Sequence, residues 1–206
     1  MAGAGIAILS FGTTVAPLLD IRPWALGDAG GHLVLPQLLA DGLRPNIDFA
    51  YTYGPATIAL NAAWAAVFGN QWQSFFVLFA ILHLALATSM VALVYSLRLL
   101  PLAAVACLLA LLHFLRFEYS ISHLAEKILL INAATGISAG RFRVALLLCT
   151  ASALFRPASG LMAGAILLIG LATQQVRSDG VGIALRSIVR VSLPSASLIL
   201  VAGIIY

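Results

Sequence analysis

The sequence predicts an all-α, polytopic helical membrane protein with about seven transmembrane helices. Hydrophobic residues make up 62% of the chain and charged residues 9%, whereas about 25% of the residues are charged in an ordinary soluble domain. Long runs of Leu, Ala, Val and Ile occur without the alternating pattern of transmembrane strands. We therefore expect apolar helices that cross a bilayer and polar loops that face water.

The amino-terminal region predicts one span followed by a long outer loop. Residues 1–19 are apolar and long enough to cross a bilayer. We interpret them as a retained first span, with a signal peptide as the alternative, because no Lys or Arg precedes the apolar core. Residues 20–69 form the outer loop, in which we expect interfacial helices. The first of these is a surface helix from Ala29 to Asp41, ended by Gly42 in the left-handed conformation.

A second short helix is expected at the end of this loop, over Pro55 to Phe68. At about 1.5 Å per residue it covers about 21 Å, which is less than a hydrocarbon core of about 30 Å. Leu60 and Trp64 share one face of this helix, whereas Thr57 and Asn61 share another. We therefore expect the helix to lie in the membrane interface, with Trp64 at the depth of the lipid headgroups.

Residues 75–206 contain the remaining predicted spans. Phe75 to Leu97 is the clearest of them, because it is apolar over a full bilayer thickness. Pro157 removes a backbone donor, so we expect residues 144–172 to form two helices that meet near Arg156. An alternative layout of about five spans drops the weak span over 124–139 and fuses 144–172 into one tilted helix. The further spans of the favoured layout cover 101–115, 124–139 and 191–206.

The arginines predict which loops face the cytoplasm. In the favoured layout, one side of the membrane receives a group of arginines and a single acidic residue, Asp179. The opposite side receives the other acidic residues, so the positive-inside rule puts the first loop on the outer, non-cytoplasmic face. The arginines of the inner side are Arg98, Arg141, Arg143, Arg177, Arg186 and Arg190.

Two acidic residues of the outer loops are candidates for catalysis. Asp28 precedes the expected surface helix, so its carboxylate either caps that helix or accepts a proton from a nucleophile. Glu118 lies on the next outer loop. A carboxylate from each of two outer loops could bind a divalent cation or an acceptor. Asp48 is more typical of a turn residue that hydrogen-bonds its own backbone.

Arg156 is the strongest candidate for binding an anion. An arginine beside a proline between two apolar helices is costly in lipid, so it should face a cavity, a partner or the interface. An anionic phosphate is a natural partner for its guanidinium group, and snorkelling to lipid phosphates is the alternative. The polar residues of the second outer loop are interpreted as a solvated rim, namely Glu118, His123, Glu126 and Lys127.

Other polar groups within apolar runs are interpreted as packing residues. His83 lies inside the span from Phe75 to Leu97, where an interhelical contact is expected. Cys107 and Cys149 also lie in apolar runs, which indicates packing and no redox role. No stretch clusters Lys and Arg with aromatic residues, so no nucleic-acid partner is expected.

The order of features along the chain resembles a family of membrane enzymes. An external acid, Asp28, is followed by a series of short motifs and then by a full span. These motifs are Gly42-Leu43-Arg44-Pro45, Asp48-Phe49, Tyr53-Gly54-Pro55, Val67-Phe68-Gly69 and Ala153-Leu154-Phe155-Arg156-Pro157. Together they are similar to the amino-terminal portion of the GT-C superfamily of membrane glycosyltransferases. The nearest likenesses are the protein O-mannosyltransferases and the lipid A aminoarabinose transferases, over roughly residues 1–175.

The resemblance implies transfer of a sugar from a polyprenyl-phosphate-linked donor to a glycan, lipid or protein acceptor. The reaction would take place on the non-cytoplasmic face, which for a bacterial protein means the outer side of the inner membrane. Asp28 and Glu118 would be the catalytic acids, whereas Arg156, Arg44, Asp48 and Tyr53 would bind substrate. Family members are usually longer, so we expect this chain to be the amino-terminal portion of such an enzyme. The alternative is a non-catalytic or transport protein of the bilayer.

Overall fold

The computed structural model describes residues 28–98, 101, 104–105, 109, 120–179, 186 and 188–197, and these residues are mainly helical. Within these ranges the only strand-like pairing is an isolated bridge between Pro45 and Phe49. The all-α prediction is therefore confirmed for the described part of the chain. Its helices are α1 (Asp28–Ala40), α2 (Pro55–Phe68), α3 (Trp72–Ser96), α4 (Ile121–Ser138), α5 (Phe142–Phe155) and α6 (Pro157–Asp179), followed by a helical stretch over 188–197.

Helices α3 and α4 form a parallel pair at the centre of the structure. The Asn132 side chain donates to Ser89 Oγ at 2.7 Å, and Ser138 Oγ donates to Ser96 Oγ at 2.7 Å. The bonded residues follow in the same order along both helices, about two turns apart in each, so the two helices run in the same direction. Their apolar faces enclose a buried core of Phe75, Leu78, Phe79, Leu86, Met90, Val94, Ile121 and Leu124.

Helices α4, α5 and α6 form two successive antiparallel hairpins. The first turns at Gly140-Arg141, where the Arg141 N–H donates to the carbonyl of Gly136 at 2.7 Å. The second turns at Arg156-Pro157, and it brings Gly160 directly against Ala153. The single fused helix of the five-span alternative is therefore wrong, because the chain reverses where Pro157 interrupts the backbone hydrogen bonds.

The helix predicted from Ala29 to Asp41 is confirmed as α1, within one residue at each end, whereas its place at a membrane surface stays a prediction. Its predicted left-handed stop is also confirmed, since Gly42 has φ +81°. The Gly42 N–H donates to the Leu39 carbonyl at 3.1 Å and the Leu43 N–H to the Leu38 carbonyl at 3.0 Å. This pair of bonds satisfies the last carbonyl groups of the helix and fixes the direction in which the chain leaves it.

Helix α2 has the predicted bounds, but its polar face points inward. Thr57 and Asn61 are fully buried, whereas Val67 and Phe68 are exposed. The ring N–H of Trp64 donates to the Ser74 carbonyl at 2.9 Å, so this side chain is anchored to the start of α3. Helix α2 therefore packs its polar side against protein and presents apolar side chains outward.

Two described helices are long and apolar enough to cross a membrane, by length and composition alone: Trp72–Ser96 and the Pro157–Gln174 part of α6. The predicted spans over 1–19 and 101–115 fall wholly or largely outside the described residues, as does most of 191–206. The helix over 124–139 is present as α4. The relative directions of α3, α4, α5 and α6 are those of the seven-span layout, which stays a prediction as a membrane arrangement.

We predict opposite effects for two alanine substitutions in α6. A Cβ at Gly160 would lie 2.2 Å from the Ala153 nitrogen, so Gly160→Ala must separate α5 from α6. Overpacking of this kind costs about 1–3 kcal/mol, so the melting temperature in detergent should fall. Gly170→Ala is the matched control in the same helix, since a Cβ there meets nothing within 4 Å. It should leave the melting temperature unchanged or raise it, and an equal loss in both variants would contradict the close contact.

Candidate functional site

Two motifs that are far apart in the sequence meet at one end of the helices. The Gly54 N–H of Tyr53-Gly54-Pro55 donates to the Phe155 carbonyl at 2.9 Å. A Cβ at Gly54 would lie 2.1 Å from the Leu154 carbonyl oxygen, so only glycine permits this approach. The loop before α2 is thereby held against the turn between α5 and α6, which contains Arg156.

Arg156 forms an ion pair across the bundle with Glu126 of α4. Its Nη1 donates to Glu126 Oε2 at 3.1 Å, and the side chains are 43% and 6% exposed, respectively. A carboxylate this deeply buried needs a charged partner, which Arg156 supplies. Because a guanidinium group has five N–H donors in a rigid fork, this bond orients Arg156 and leaves donors on its exposed side.

The burial of Glu126 corrects the interpretation of the second outer loop as a solvated rim. Glu126 is buried, and so are Ser120 and Ser122, whose hydroxyl oxygens lie 2.8 Å apart. Sequence reasoning missed Glu126 as a site residue. The sequence did contain a signal for it, since Glu126 lies within a predicted span, one helical turn after His123. An unpaired charge inside a span is costly, which indicates that the acid has a partner.

A row of aromatic rings leads from the loop between α1 and α2 to α4. The rings of Tyr51 and Tyr53 lie edge to face with centroids 5.6 Å apart, and those of Tyr53 and His123 lie 5.8 Å apart in the same arrangement. Phe49 extends the row, with its ring 6.4 Å from that of Tyr51. Tyr53, a predicted substrate-binding residue, therefore lies beside His123 and precedes the glycine that contacts Phe155.

Asp28 is the first residue of α1, a helix whose start lies beside the start of α4. One turn after Asp28, the buried His32 accepts a hydrogen bond at Nε2 from the Ile121 N–H at 3.1 Å. The backbone of Asp28 is therefore at the same end of the bundle as His123 and Glu126. The other predicted catalytic acid, Glu118, lies outside the described residues.

Arg44 and Asp48 pair with each other in the loop between α1 and α2. The Arg44 backbone N–H donates to Asp48 Oδ2 at 2.7 Å, and the Arg44 Nε lies 3.4 Å from the same oxygen. Asn46, between them, has φ +62°, a left-handed conformation that asparagine tolerates in turns. These contacts fit the expected turn role of Asp48 and hold Arg44 within its own loop.

His83 is buried in α3 and makes an intrahelical bond, whereas the expected interhelical contact stays a prediction. Its Nδ1 lies 2.8 Å from the carbonyl oxygen of Phe79, one turn earlier in α3, and the side chain is buried. Among the predicted packing residues, Cys149 is buried in the core shared by α4, α5 and α6, whereas Cys107 lies outside the described residues.

Three buried polar side chains line the helices that meet at Gly54 and Phe155. Thr57 Oγ1 and Asn61 Oδ1 on α2 and Ser152 Oγ on α5 have no hydrogen-bond partner among the described residues. A buried polar group without a partner costs about 1–3 kcal/mol. Ser152 is one turn before Arg156, whose N–H donates to the Ser152 carbonyl at 2.9 Å. Buried oxygen atoms that could still form hydrogen bonds therefore lie close to the ion pair.

No group of three His, Cys, Asp or Glu side chains among the described residues is arranged to hold a metal ion. Comparison with known proteins finds no matching family model, no similar curated protein and no similar solved structure. The resemblance to GT-C glycosyltransferases thus depends on the residues and their order, and it stays a prediction.

We predict that Arg156→Gln is more destabilising than Glu126→Gln. Arg156→Gln leaves a buried carboxylate without its cation, whereas Glu126→Gln leaves a half-exposed guanidinium that water can solvate. Because Arg156 is partly solvated, we expect a loss of about 1–3 kcal/mol for Arg156→Gln. The double variant should lose less than the sum of the two single losses, as measured by thermal unfolding in detergent.

Arg44→Gln is the matched control for the comparison of Arg156→Gln, Glu126→Gln and the double variant. It removes an arginine whose pair with Asp48 is exposed, and such pairs contribute about 0–1 kcal/mol. An Arg156→Gln loss as small as that of Arg44→Gln would show that the pair with Glu126 does not stabilise the fold.

We also predict that Ser152→Ala does not lower stability. It removes a buried hydroxyl that has no hydrogen-bond partner among the described residues, so the unfolding free energy should stay the same or rise by about 1 kcal/mol. Ser89→Ala is the matched control, because Ser89 Oγ accepts the Asn132 bond and donates to the Ala85 carbonyl. It should lower the melting temperature, and the reverse order of the two variants would contradict this account of the hydroxyl groups.

Proposed function

We propose that this chain is part of a GT-C-type membrane glycosyltransferase. It would move a sugar from a polyprenyl-phosphate-linked donor to an acceptor on the non-cytoplasmic face of the membrane. The observation that supports this proposal best is the contact of Tyr53-Gly54-Pro55 with Phe155-Arg156-Pro157. Two segments chosen for their resemblance to one family lie together, and between them they hold an oriented, half-exposed arginine.

Arg156 is the residue that would bind the phosphate of the donor. As the bond between the sugar and the phosphate breaks, negative charge develops on the departing phosphate oxygen. A fixed guanidinium stabilises that charge more in the transition state than in the bound donor. The buried carboxylate of Glu126 supports this role, because it sets the orientation of Arg156 before substrate arrives.

Asp28 is the residue that would accept the proton of the acceptor. An acceptor hydroxyl oxygen would attack the anomeric carbon of the sugar while the bond to the polyprenyl phosphate breaks. The hydroxyl proton would pass to the Asp28 carboxylate, and the polyprenyl phosphate would leave with the bonding electrons. The position of Asp28 at the start of α1, beside the start of α4, supports this assignment. Glu118 is the second acid proposed for the same outer surface.

The aromatic row supports a sugar substrate. Tyr and His rings combine a flat apolar face with a polar edge, and such a surface can pack against a sugar ring and bond its hydroxyl groups. Tyr51, Tyr53 and His123 offer this surface at the end of the bundle that contains Arg156. Tyr53 would contact the donor sugar, because its neighbour Gly54 adjoins the turn of Arg156.

The surrounding would be a lipid bilayer, in a bacterium the inner membrane. The apolar length of α3 and α6 supports this location. Four arginines of the described residues lie at the end of the bundle opposite Arg156, namely Arg98, Arg141, Arg143 and Arg190. By the positive-inside rule they support a cytoplasmic position for that end. Arg156 would then face the non-cytoplasmic side.

We predict that Asp28→Asn strongly lowers the rate of sugar transfer without unfolding the protein. Loss of a general base lowers kcat by about 10²- to 10⁴-fold. Transfer of radiolabelled sugar from a polyprenyl-phosphate donor would be measured with the full-length protein in membrane vesicles. Asp41→Asn is the matched control, since it makes the same change just beyond the other end of α1, where the carboxylate accepts a bond from Gln37.

The control should retain activity within about twofold, because Asp41 is exposed and surface substitutions usually change the free energy of unfolding by no more than about 0.5 kcal/mol. Normal transfer by Asp28→Asn would remove Asp28 from the mechanism. An equal loss in Asp41→Asn would indicate an effect on α1 as a whole. Solute uptake that needs no lipid-linked sugar would favour the transport alternative.

A further inference from the structure

A cleft lined with arginines lies at the end of the bundle opposite Arg156. It has a volume of about 360 Å3 and lies between the turn from α4 to α5 and the helical stretch over 188–197. A second cleft of about 430 Å3 adjoins it and shares Arg190. The arginines that line the two clefts are Arg141, Arg143, Arg186 and Arg190.

These arginines differ from Arg156 and Arg44 in having no acidic partner among the residues that the structure describes. No described carboxylate pairs with Arg141, Arg143 or Arg190, whereas Arg156 pairs with Glu126 and Arg44 with Asp48. Like charges that converge on one cleft repel each other, and a bound anion relieves that repulsion. The cleft also includes the first residues of α5. The first N–H groups of a helix have no partner within it, and together with the helix dipole they favour an anion.

The walls of the clefts are apolar as well as basic. Phe142, Val144 and Val191 line the first cleft, and Val189 and Leu193 line the second. Val144, Val189 and Leu193 are exposed among the charged side chains. A free inorganic anion would leave these apolar side chains in contact with water, whereas a ligand with both an anionic group and hydrocarbon chains would cover them.

We propose that this arginine cleft binds the phosphate headgroup of an anionic phospholipid. The guanidinium groups of Arg143 and Arg190 hold the phosphate oxygens, a geometry that arginine supplies better than lysine. The acyl chains extend along Val144, Val189 and Leu193. Basic clefts between helices at the inner surface of a membrane are suited to such headgroups. The arginine cleft lies at a different end of the molecule from the proposed sugar-transfer site, and lipid binding there does not depend on that reaction.

The test is native mass spectrometry of the full-length protein, released from nanodiscs that contain phosphatidylglycerol and phosphatidylcholine. The wild type should retain phosphatidylglycerol in preference to phosphatidylcholine. Arg143→Gln/Arg190→Gln should bind phosphatidylglycerol roughly 10- to 30-fold more weakly, since each basic residue near a membrane contributes on the order of fivefold. Both side chains are exposed, so these substitutions are compatible with the fold. Thermal unfolding in phosphatidylcholine alone checks that directly.

Arg190→Gln and Arg98→Gln form a matched pair of single variants. Each removes one exposed arginine from the same end of the bundle, but only Arg190 lines the clefts. Arg190→Gln should weaken phosphatidylglycerol binding, and Arg98→Gln should not. Equal weakening by both would overturn the proposal in favour of a diffuse charge attraction.

Two outcomes with the wild type alone would also overturn it, so the test does not depend on any variant folding. One is the absence of a preference for phosphatidylglycerol over phosphatidylcholine. The other is displacement of phosphatidylglycerol by inorganic phosphate at similar concentration, which would make the ligand a soluble anion. Persistence of lipid binding in a protein that lacks sugar transfer would leave the proposal intact, because the readout is the bound lipid itself.

Discussion

The chain reversal at Phe155-Arg156-Pro157 is the constraint on which the described packing depends. Pro157 has no N–H group, so α5 must end there and α6 must start in a new direction. The Phe155 carbonyl then accepts the Gly54 N–H, while Arg156 reaches Glu126 of α4. One short turn therefore joins two consecutive helices, a third helix and the loop before α2. Gly54 permits this because its hydrogen atom occupies the place where any side chain would overlap the backbone of α5.

The same turn links stability to the proposed chemistry. A buried carboxylate at Glu126 is tolerated because Arg156 neutralises it, and Arg156 in turn is held still by that carboxylate. The pair is asymmetric, since the acid is buried and the arginine is half exposed. The exposed donors of Arg156 can therefore bind an anion without breaking the bond that holds the arginine in place. The pair with Glu126 explains why an arginine is tolerated beside a proline between two apolar helices.

Features that depend on local backbone rules could be predicted from the sequence, and features that depend on packing partners could not. The bounds of α2, the left-handed stop at Gly42 and the break at Pro157 follow from the properties of proline and glycine. The turn role of Asp48 follows from its position among turn residues. The inward polar face of α2 and the burial of Glu126 depend on which helix lies opposite. Such pairing is not encoded in the spacing of residues along one helix. Sequence reasoning therefore found Arg156 but not its partner.

The arginines at the two ends of the bundle differ in whether they have an acidic partner among the described residues. This difference indicates which end suits a reaction and which end suits simple binding of an anion. At one end Arg156 is paired with a buried acid, so its position is fixed and it can select a ligand by geometry. At the other end Arg141, Arg143 and Arg190 have no described carboxylate as partner, so their charge remains available to any anion of suitable shape. An arginine that must stabilise developing charge on one departing atom needs a fixed position. Arginines that bind the phosphate of a lipid headgroup face a charge that does not change, so they need to converge on one cleft but need no buried acid to fix each of them. The paired end, beside the aromatic row and the start of α1, is therefore the end that suits the proposed sugar transfer.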